Sequence, residues 1–185
     1  ATLMDLATKY INLPIEKMDV TINESLSQLG NFVHVDRVYI FTYDHKSKTA
    51  SNTYEWCAEG IGPQIDNLQF IPFSSIPFWI ETHAKGDEII IEKTTELPDG
   101  TVKEMLLEQD IKSVFALPLM KGNKCIGFVG FDAVLNYRIF YEDEKDLLRL
   151  FGKMLVNLEI QTNFLKQISA KTEEIQNMNT DLELI

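Results

Sequence analysis

Apolar residues recur every three or four positions at both ends of the chain, whereas the middle alternates apolar and polar positions. The opening stripe predicts an amphipathic helix that ends near Asn12, because Pro14 disfavours helix in the residue before it. A second helical stripe covers residues 15–29, and Gly30 is the predicted stop. The pattern therefore begins with two helices that lead into a sheet.

A β-hairpin is predicted over residues 37–57. "RVYIFTYD" and "TASNTYEWC" are rich in β-branched and aromatic residues, and "DHKSKT" between them has turn chemistry. Because side chains alternate along a strand, Tyr54 and Trp56 should lie on one face and Glu55 and Cys57 on the other.

Helices and strands then alternate up to residue 133. A short helix is expected with Pro77 in its first turn and Gly86 after its end, followed by the strand "DEIIIEK". Thr101 and Glu104 have the spacing of a capping box and should open the helix "VKEMLLEQ". The strands "SVFALPLM" and "CIGFVGFDA" are joined by the tight turn "KGNK". This order predicts an α+β fold.

The last 45 positions, 141–185, contain no proline and predict one long helix. Its apolar residues follow the roughly 3.5-residue period of a coiled-coil seam, which favours a two-stranded coil and a homodimer. The alternative is a helix that packs its first half on the domain and extends alone. The predicted seam residues are Phe151, Met154, Leu158, Leu165, Ile168, Ile175 and Leu182.

Composition narrows the class of protein. The formal net charge of −11 argues against nucleic acid as a partner, since phosphate contacts need clustered lysine and arginine. No apolar run reaches the roughly 20 residues that cross a bilayer, and no signal peptide is visible, so we expect a cytoplasmic protein without membrane insertion. The chain starts without Met and stops inside the heptads, from which we expect a segment of a longer protein.

Few residues suggest catalysis. His34, His45 and His83 are scattered over different predicted elements, so each is expected at the surface or at a helix cap, and no metal site is expected. The motifs of esterases, P-loop proteins and dinucleotide-binding proteins are missing from the sequence. Cys57 and Cys125 are expected to be reduced packing residues, with a redox pair as the alternative. The segment is therefore predicted to be non-catalytic.

Aromatic side chains are dense between residues 54 and 79, where they mix with glycines, prolines and polar groups. Apolar walls with a few polar groups are typical of small-molecule pockets. Large aromatics also cover sheets in ordinary cores, and the pattern alone leaves both interpretations open.

Several of these residues resemble a known family. "IKSVFALPL", a turn, "CIGFVGFDA" and then "RIFYEDEKDLLRLFGKML" resemble the C-terminal half of a GAF domain, and "FVHVDRVYIFTYD" through "YEWCAEGIGPQIDNLQ" resembles the front half of GAF domains in bacterial and archaeal signalling proteins. The family pattern falls on Ser113, Pro118, Ile126, Gly127, Phe140 and Glu144.

The resemblance implies an antiparallel sheet of about six strands flanked by helices, a ligand pocket, and a long helix that passes a signal to a histidine kinase, diguanylate cyclase or similar output domain. Asn136 is followed by Tyr137, unlike the cyclic-nucleotide pattern, and Cys57 is followed by Ala58, unlike the bilin-attachment pattern, so no cofactor is assigned. The ligand-binding candidates are Trp56, Cys57, Glu59, Phe73, Trp79, Phe115 and Asp132.

The expected organisation has three parts: an N-terminal helix or linker at 1–14, a sensory GAF domain at 15–160, and a coiled-coil linker at 161–185 that leads to an output domain. The predicted function is signal transduction, as in two-component systems. Two alternatives remain. One is a free methionine sulfoxide reductase of GAF fold that uses Cys57 and Cys125, and the other is a dimerisation module without a ligand.

Overall fold

The computed structural model describes residues 3–183, with side chains from 5 to 180. The helices are α1 Leu3–Lys9, α2 Met18–Val33, α3 Pro77–Ala84, α4 Thr101–Glu108 and α5 Glu142–Glu183. The strands are β1 Arg37–Asp44, β2 Thr49–Cys57, β3 Ile71–Pro72, β4 Ile89–Ile91, β5 Ser113–Lys121 and β6 Lys124–Ala133. Among these helices, none has both the length and the apolar character required to span a bilayer.

The six strands form one antiparallel sheet in the order β3-β2-β1-β6-β5-β4, which confirms the predicted fold class. The predicted hairpins β1-β2 and β5-β6 are both present, and β1 pairs with β6 at the centre. Gly127 lies where β6 meets β1 very closely: a Cβ at this position would lie 2.0 Å from the carbonyl oxygen of Phe41.

Alternation along the strands divides the core in two. Helices α1, α2 and α5 cover one face, where Leu26, Val38 and Phe151 are among the buried residues. The other face, which includes Tyr39 and Phe128, is covered by α3, α4 and the loops around them. We refer to these as the helix face and the cavity face.

The prediction that α2 ends at Gly30 is wrong, because the helix continues to Val33. The indole ring of Trp56 packs on Gly30, where a Cβ would lie 2.0 Å from Trp56 Cζ3. The helix ends at His34, whose left-handed conformation has φ +57°. Glycine is thus present for close packing between α2 and β2.

The predicted capping box of α4 is also wrong. Gly100 precedes the helix, its carbonyl accepts a hydrogen bond from the Glu104 amide at 3.1 Å, and no side chain caps the helix. Thr101 is already the first helical residue. Helix α5, in contrast, has a side-chain hydrogen bond at its start, because Glu144 Oε2 accepts the Tyr141 amide at 2.9 Å.

Helix α5 has two distinct halves. Phe151 and Leu158 are buried in the core of the domain and Met154 packs against it, so these three predicted seam residues are already in contact within the chain. From position 164 to position 180 every side chain is exposed, including Leu165 (51 %), Ile168 (47 %) and Ile175 (57 %). The side chain of Leu182 lies outside the described residues.

Candidate functional site

A β-bulge in β2 shapes the site. Ile40 pairs with Tyr54 and Phe41 with Asn52, so Thr53 is an extra residue on the β2 side. The bulge reverses the alternation, which places Asn52 and Glu55 on the same face although three positions separate them. Once its side-chain amide is oriented to satisfy its neighbours, Asn52 Nδ2 donates to the carbonyls of Tyr54 (2.8 Å) and Ile40 (3.1 Å), the two carbonyls beside the bulge.

The cavity face contains a partly open cavity of about 60 Å³ between the sheet, α3, α4 and the segment before β3. Its walls are mostly apolar and aromatic, and its polar groups gather on β1, β2, β6 and the end of α4. The apolar walls include Phe41, Leu68, Trp79, Met105 and Phe128, and the polar groups belong to Tyr39, Asn52, Glu55, Gln109 and Asp132.

Asp132 is the most buried acid of the site, with 2 % of its surface exposed. Its Oδ1 accepts a hydrogen bond from the Tyr39 hydroxyl at 2.7 Å. Within the described residues Oδ2 makes no hydrogen bond; Arg37 Nη1 lies 3.8 Å away. Arg37 is itself buried and directs its donors elsewhere, Nε to the carbonyl of Gly62 (3.2 Å) and both Nη atoms to that of Gln109 (3.1 Å).

This environment raises the pKa of Asp132 to about 7. Burial is the main cause, because it disfavours the charged carboxylate, and the hydrogen bond from Tyr39 and the charge of Arg37 offset it only in part. Burial, followed by the charge of Asp132, also raises the pKa of Tyr39 well above its usual value. Asp132 can therefore change its charge near neutral pH, and Tyr39 remains a hydrogen-bond donor.

Glu55 holds the loop that follows β2. Its Oε1 accepts the backbone amides of Gln64 (2.9 Å) and Ile65 (3.2 Å), and Oε2 accepts that of Gln64 at 3.1 Å. One carboxylate thus lines the cavity and also fixes the segment that covers it.

His83 lies on the same face, deeper in the core. It is fully buried, which corrects the expected surface or capping position, and its Nδ1 lies 3.1 Å from the Tyr43 hydroxyl. Burial lowers the pKa of His83 to about 4, against a smaller opposite effect of the Ala116 backbone, so the ring is neutral at physiological pH. His34 closes α2 and His45 lies in the β1-β2 turn region, as expected.

Two of the seven ligand-binding candidates, Trp79 and Asp132, line the cavity. Trp56 and Phe115 lie on the helix face, because their positions in the strands point them away from the cavity. Cys57, Glu59 and Phe73 are outside the lining; Phe73 instead contacts Tyr43 and His45 in edge-to-face arrangements.

The two cysteines lie at opposite ends of the sheet. Cys57 pairs with Arg37 and Arg37 with Asp132, seven positions along β6 from Cys125. At about 3.3 Å per residue, roughly 23 Å separates the thiols. Burial raises the pKa of Cys57 to about 11, with a further contribution from Glu55, and it also raises the pKa of Cys125. Nothing in this arrangement makes them a nucleophile and its resolving thiol.

Sequence reasoning missed the polar site residues Tyr39, Asn52, Glu55 and Gln109. Strand alternation could have identified Tyr39 and Glu55, because the neighbours of each residue along its strand lie on the helix face. Asn52 had none, since only the bulge moves it to the same face as Glu55. Among the described residues no group of three or more histidine, cysteine or acidic side chains is placed to hold a metal ion.

Comparison with known proteins gives the same assignment from sequence and from structure. The GAF domain family matches residues 17–157. The methanogenesis regulatory histidine kinase FilI of Methanothrix harundinacea (strain 6Ac) is 26 % identical over an alignment of 191 positions, which covers 96 % of this chain but only 21 % of the kinase. The chain thus spans about a fifth of that curated relative.

Solved structures agree in fold. The phycocyanobilin-bound GAF domain of a cyanobacterial phytochrome superposes with a TM-score of 0.73 at 16 % identity, covering 89 % of this chain and 97 % of that one. The blue-light-absorbing form of the PixJ GAF domain of Thermosynechococcus elongatus gives 0.69 at 16 % identity, covering 88 % and 98 %. At such identities these neighbours show the fold alone. Family match and fold together establish that this chain belongs to the GAF domain family.

Proposed function

We propose that this GAF domain is a sensory module that binds a small molecule in the cavity and passes the change through α5 to an output domain. The observation that carries the proposal is the polar lining of the cavity, where the buried Asp132 carboxyl makes one hydrogen bond and the buried Nε1 of Trp79 has no partner among the described residues. A buried polar atom of this kind is costly unless something binds it. A ligand or an ordered water would supply the partner.

Strand β2 offers a route from the cavity to the helices. Glu55 lies on the cavity face, and its two neighbours Tyr54 and Trp56 contact α2: the Tyr54 hydroxyl donates to Asp19 Oδ1, and Trp56 packs on Gly30. Movement of Glu55 on ligand binding would therefore shift both contacts. A ligand can bias this equilibrium only by its difference in affinity for the two arrangements.

The relative suggests the kind of output domain. Because FilI is a regulatory histidine kinase and this chain resembles about a fifth of it, we propose that residues 161–185 connect the sensory domain at 15–160 to a histidine kinase, a diguanylate cyclase or a similar domain. Residues 1–14 belong with the sensory domain in this proposal, since Leu6 and Tyr10 of that segment are part of its core.

A covalent bilin is not part of the proposal, although structural neighbours carry one. Neither Cys57 nor Cys125 lines the cavity, and about 60 Å³ is far too small for a linear tetrapyrrole. The reductase alternative loses its support for a related reason, because its two thiols lie far apart. The proposed module is therefore non-catalytic.

Dimerisation would use the exposed half of α5. Leu165, Ile168 and Ile175 continue the heptad stripe beyond the last buried residue, Thr162, and no other part of the described chain covers them. Sedimentation velocity should show a dimer, and Ile168→Asp should convert it to a monomer. Ala170→Asp, on the opposite side of the helix, is the matched control that should remain dimeric. A monomeric unmodified protein at high concentration would contradict the pairing.

Native mass spectrometry of gently purified protein tests ligand binding and dimerisation together. A dimer with extra mass that is lost in Asp132→Asn would support the sensory proposal and give the mass of the ligand. A dimer without extra mass that also binds no compound in a broad small-molecule screen would favour the dimerisation module without a ligand.

A further inference from the structure

The polar end of the cavity offers mainly acceptors, because the donors of Tyr39, Asn52 and Gln109 already bond within the protein. The unpartnered donor of the lining, Trp79 Nε1, belongs to the aromatic wall. Asp132 and Glu55 contribute carboxylates, and the described residues that line the cavity include no lysine, arginine or histidine. Because Asn52 uses its Nδ2 on backbone carbonyls, its Oδ1 is left on the side of Glu55. A ligand that satisfies this end must therefore donate hydrogen bonds.

Arg37 neutralises this end only in part. It is not in the lining, its Nη1 lies 3.8 Å from Asp132 Oδ2, and its donors are directed to the carbonyls of Gly62 and Gln109. With two carboxylates and one guanidinium, the site has one excess negative charge when Asp132 is ionised. Burial makes that charge costly unless a positive group joins it.

We propose that the cavity binds a small organic cation, a primary amine with a short apolar body, whose ammonium group bonds to the Asp132 carboxylate and faces Glu55. This inference rests on the proposed function of the cavity as a ligand site. The apolar body contacts the wall formed by Trp79, Phe41 and Phe128. A metal ion is a poorer occupant, because the described residues supply only two carboxylates here and no group of three ligating side chains.

The volume limits the size of the amine. An engineered apolar cavity of roughly 150 Å³ holds benzene, so about 60 Å³ suits a body of only a few carbon atoms. Propylammonium is a suitable probe, with 1-propanol as its neutral match, propanoate as its anionic match, and sodium chloride as the control for ionic strength.

The two tryptophans provide a readout with an internal reference. Trp79 lines the cavity, whereas Trp56 lies on the opposite face of the sheet. In protein labelled with 5-fluorotryptophan, propylammonium should shift the ¹⁹F resonance of Trp79 in a saturable manner and leave that of Trp56 in place. Its Kd should be at least tenfold lower than that of 1-propanol.

Matched variants test which carboxylates interact with the ammonium group. Asp132→Asn and Glu55→Gln should each remove most of the preference for propylammonium over 1-propanol, and the exposed Glu81→Gln on α3 should keep it. The ¹⁹F spectrum of each variant also reports whether the fold is intact, so loss of binding can be separated from loss of structure.

The affinity should also depend on pH. The charged or titratable neighbours of Asp132 are Arg37 and Tyr39 on β1, Glu55 on β2 and Asp36 just before β1. The pKa of Asp132 is about 7 and the ammonium stays protonated, so the Kd of propylammonium should fall about tenfold from pH 6 to pH 8 and be flat in Asp132→Asn. A flat profile in the unmodified protein would contradict the contact with Asp132.

The remaining outcomes separate the two proposals. If 1-propanol or propanoate shifts the Trp79 resonance at equal or lower concentration, the cavity is a ligand site but its ligand is not a cation. If Trp56 responds as strongly as Trp79, the amine binds elsewhere and this inference is wrong. If no probe shifts the Trp79 resonance, the cation inference is overturned and the cavity itself loses its role as a ligand site.

Discussion

Both faces of the sheet bury an apolar core, but they differ in the charged side chains that they bury. Among the described residues, the fully buried charged or histidine side chains are Arg37, His83 and Asp132, and all of them lie on the cavity face. The helix face buries aliphatic and aromatic side chains, with hydroxyls such as that of Ser25 hydrogen-bonded to Tyr10 at 2.8 Å. One face is thus organised for stability, and the other accepts costly polar groups beside a cavity.

Truncation on the helix face should have the largest effect. Phe151 is completely buried in α5 and contacts Tyr10, so Phe151→Ala should lower the free energy of unfolding by about 3–5 kcal/mol. Phe164→Ala, on the exposed half of the same helix, should change it by less than about 0.5 kcal/mol. Urea denaturation of both variants measures the difference, and equal losses would contradict the division of α5 into a buried and an exposed half.

The contact between α2 and β2 should be the next most sensitive. A Cβ at Gly30 overlaps the Trp56 ring, so Gly30→Ala should cost about 1–3 kcal/mol. Gly62→Ala should cost little, because nothing lies within 4 Å of a Cβ there. Repeating Gly30→Ala in a Trp56→Leu background should reduce its cost; an undiminished loss would show that the ring is not the cause.

The sequence predicted the fold well because strand alternation, helix periodicity and glycine-rich turns are local signals. Apart from the capping box of α4, which is local, its errors have a common origin: they concern contacts between elements distant in sequence. Gly30 is indistinguishable from a helix stop until Trp56 is placed against it, and Phe151 is indistinguishable from a coiled-coil residue until α1 and the sheet cover it.

The site was predictable only in part, for the same reason. The candidates Trp79 and Asp132, named from residue type and family resemblance, line the cavity, whereas the candidate Trp56 lies on the helix face, because aromatic density carries no direction. Asn52 reaches the cavity through a one-residue bulge at Thr53, which no periodicity reveals.

On the cavity face, Asp132 should make stability depend on pH. Its pKa rises on folding to about 7, so between about pH 4 and 7 the folded protein keeps a proton that the unfolded chain releases, and stability falls as pH rises. Asp132→Asn should therefore gain stability relative to the unmodified protein across this window, by at most about 1.4 kcal/mol per pH unit. Urea titrations at each pH measure this difference, and a constant difference would contradict it.

His83 should act in the opposite direction. Its pKa is lowered on folding to about 4, so its contribution is complete above about pH 6.5 and is lost as pH falls toward 4. The two groups partly cancel in the unmodified protein, and Asp132→Asn should reveal the acid sensitivity due to His83. His83→Gln in that background should reduce it.

The thiols should show the smallest effects, and they distinguish the two ends of the sheet. The pKa of Cys57 is raised to about 11, so its thiolate fraction near neutral pH is about a hundredfold below that of an ordinary thiol. Iodoacetamide should modify Cys57 correspondingly slowly, with a rate that rises with pH.

Cys125 is buried and should react only when the protein opens, so mild urea should accelerate its labelling more than that of Cys57. Cys57→Ser should change the free energy of unfolding by less than about 0.5 kcal/mol, because the thiol is half-exposed and its contact with the carbonyl of Gly62 is long, at 4.0 Å. Rapid modification of either thiol at neutral pH would revive a redox role, which the raised pKa values and the separation of the two cysteines oppose.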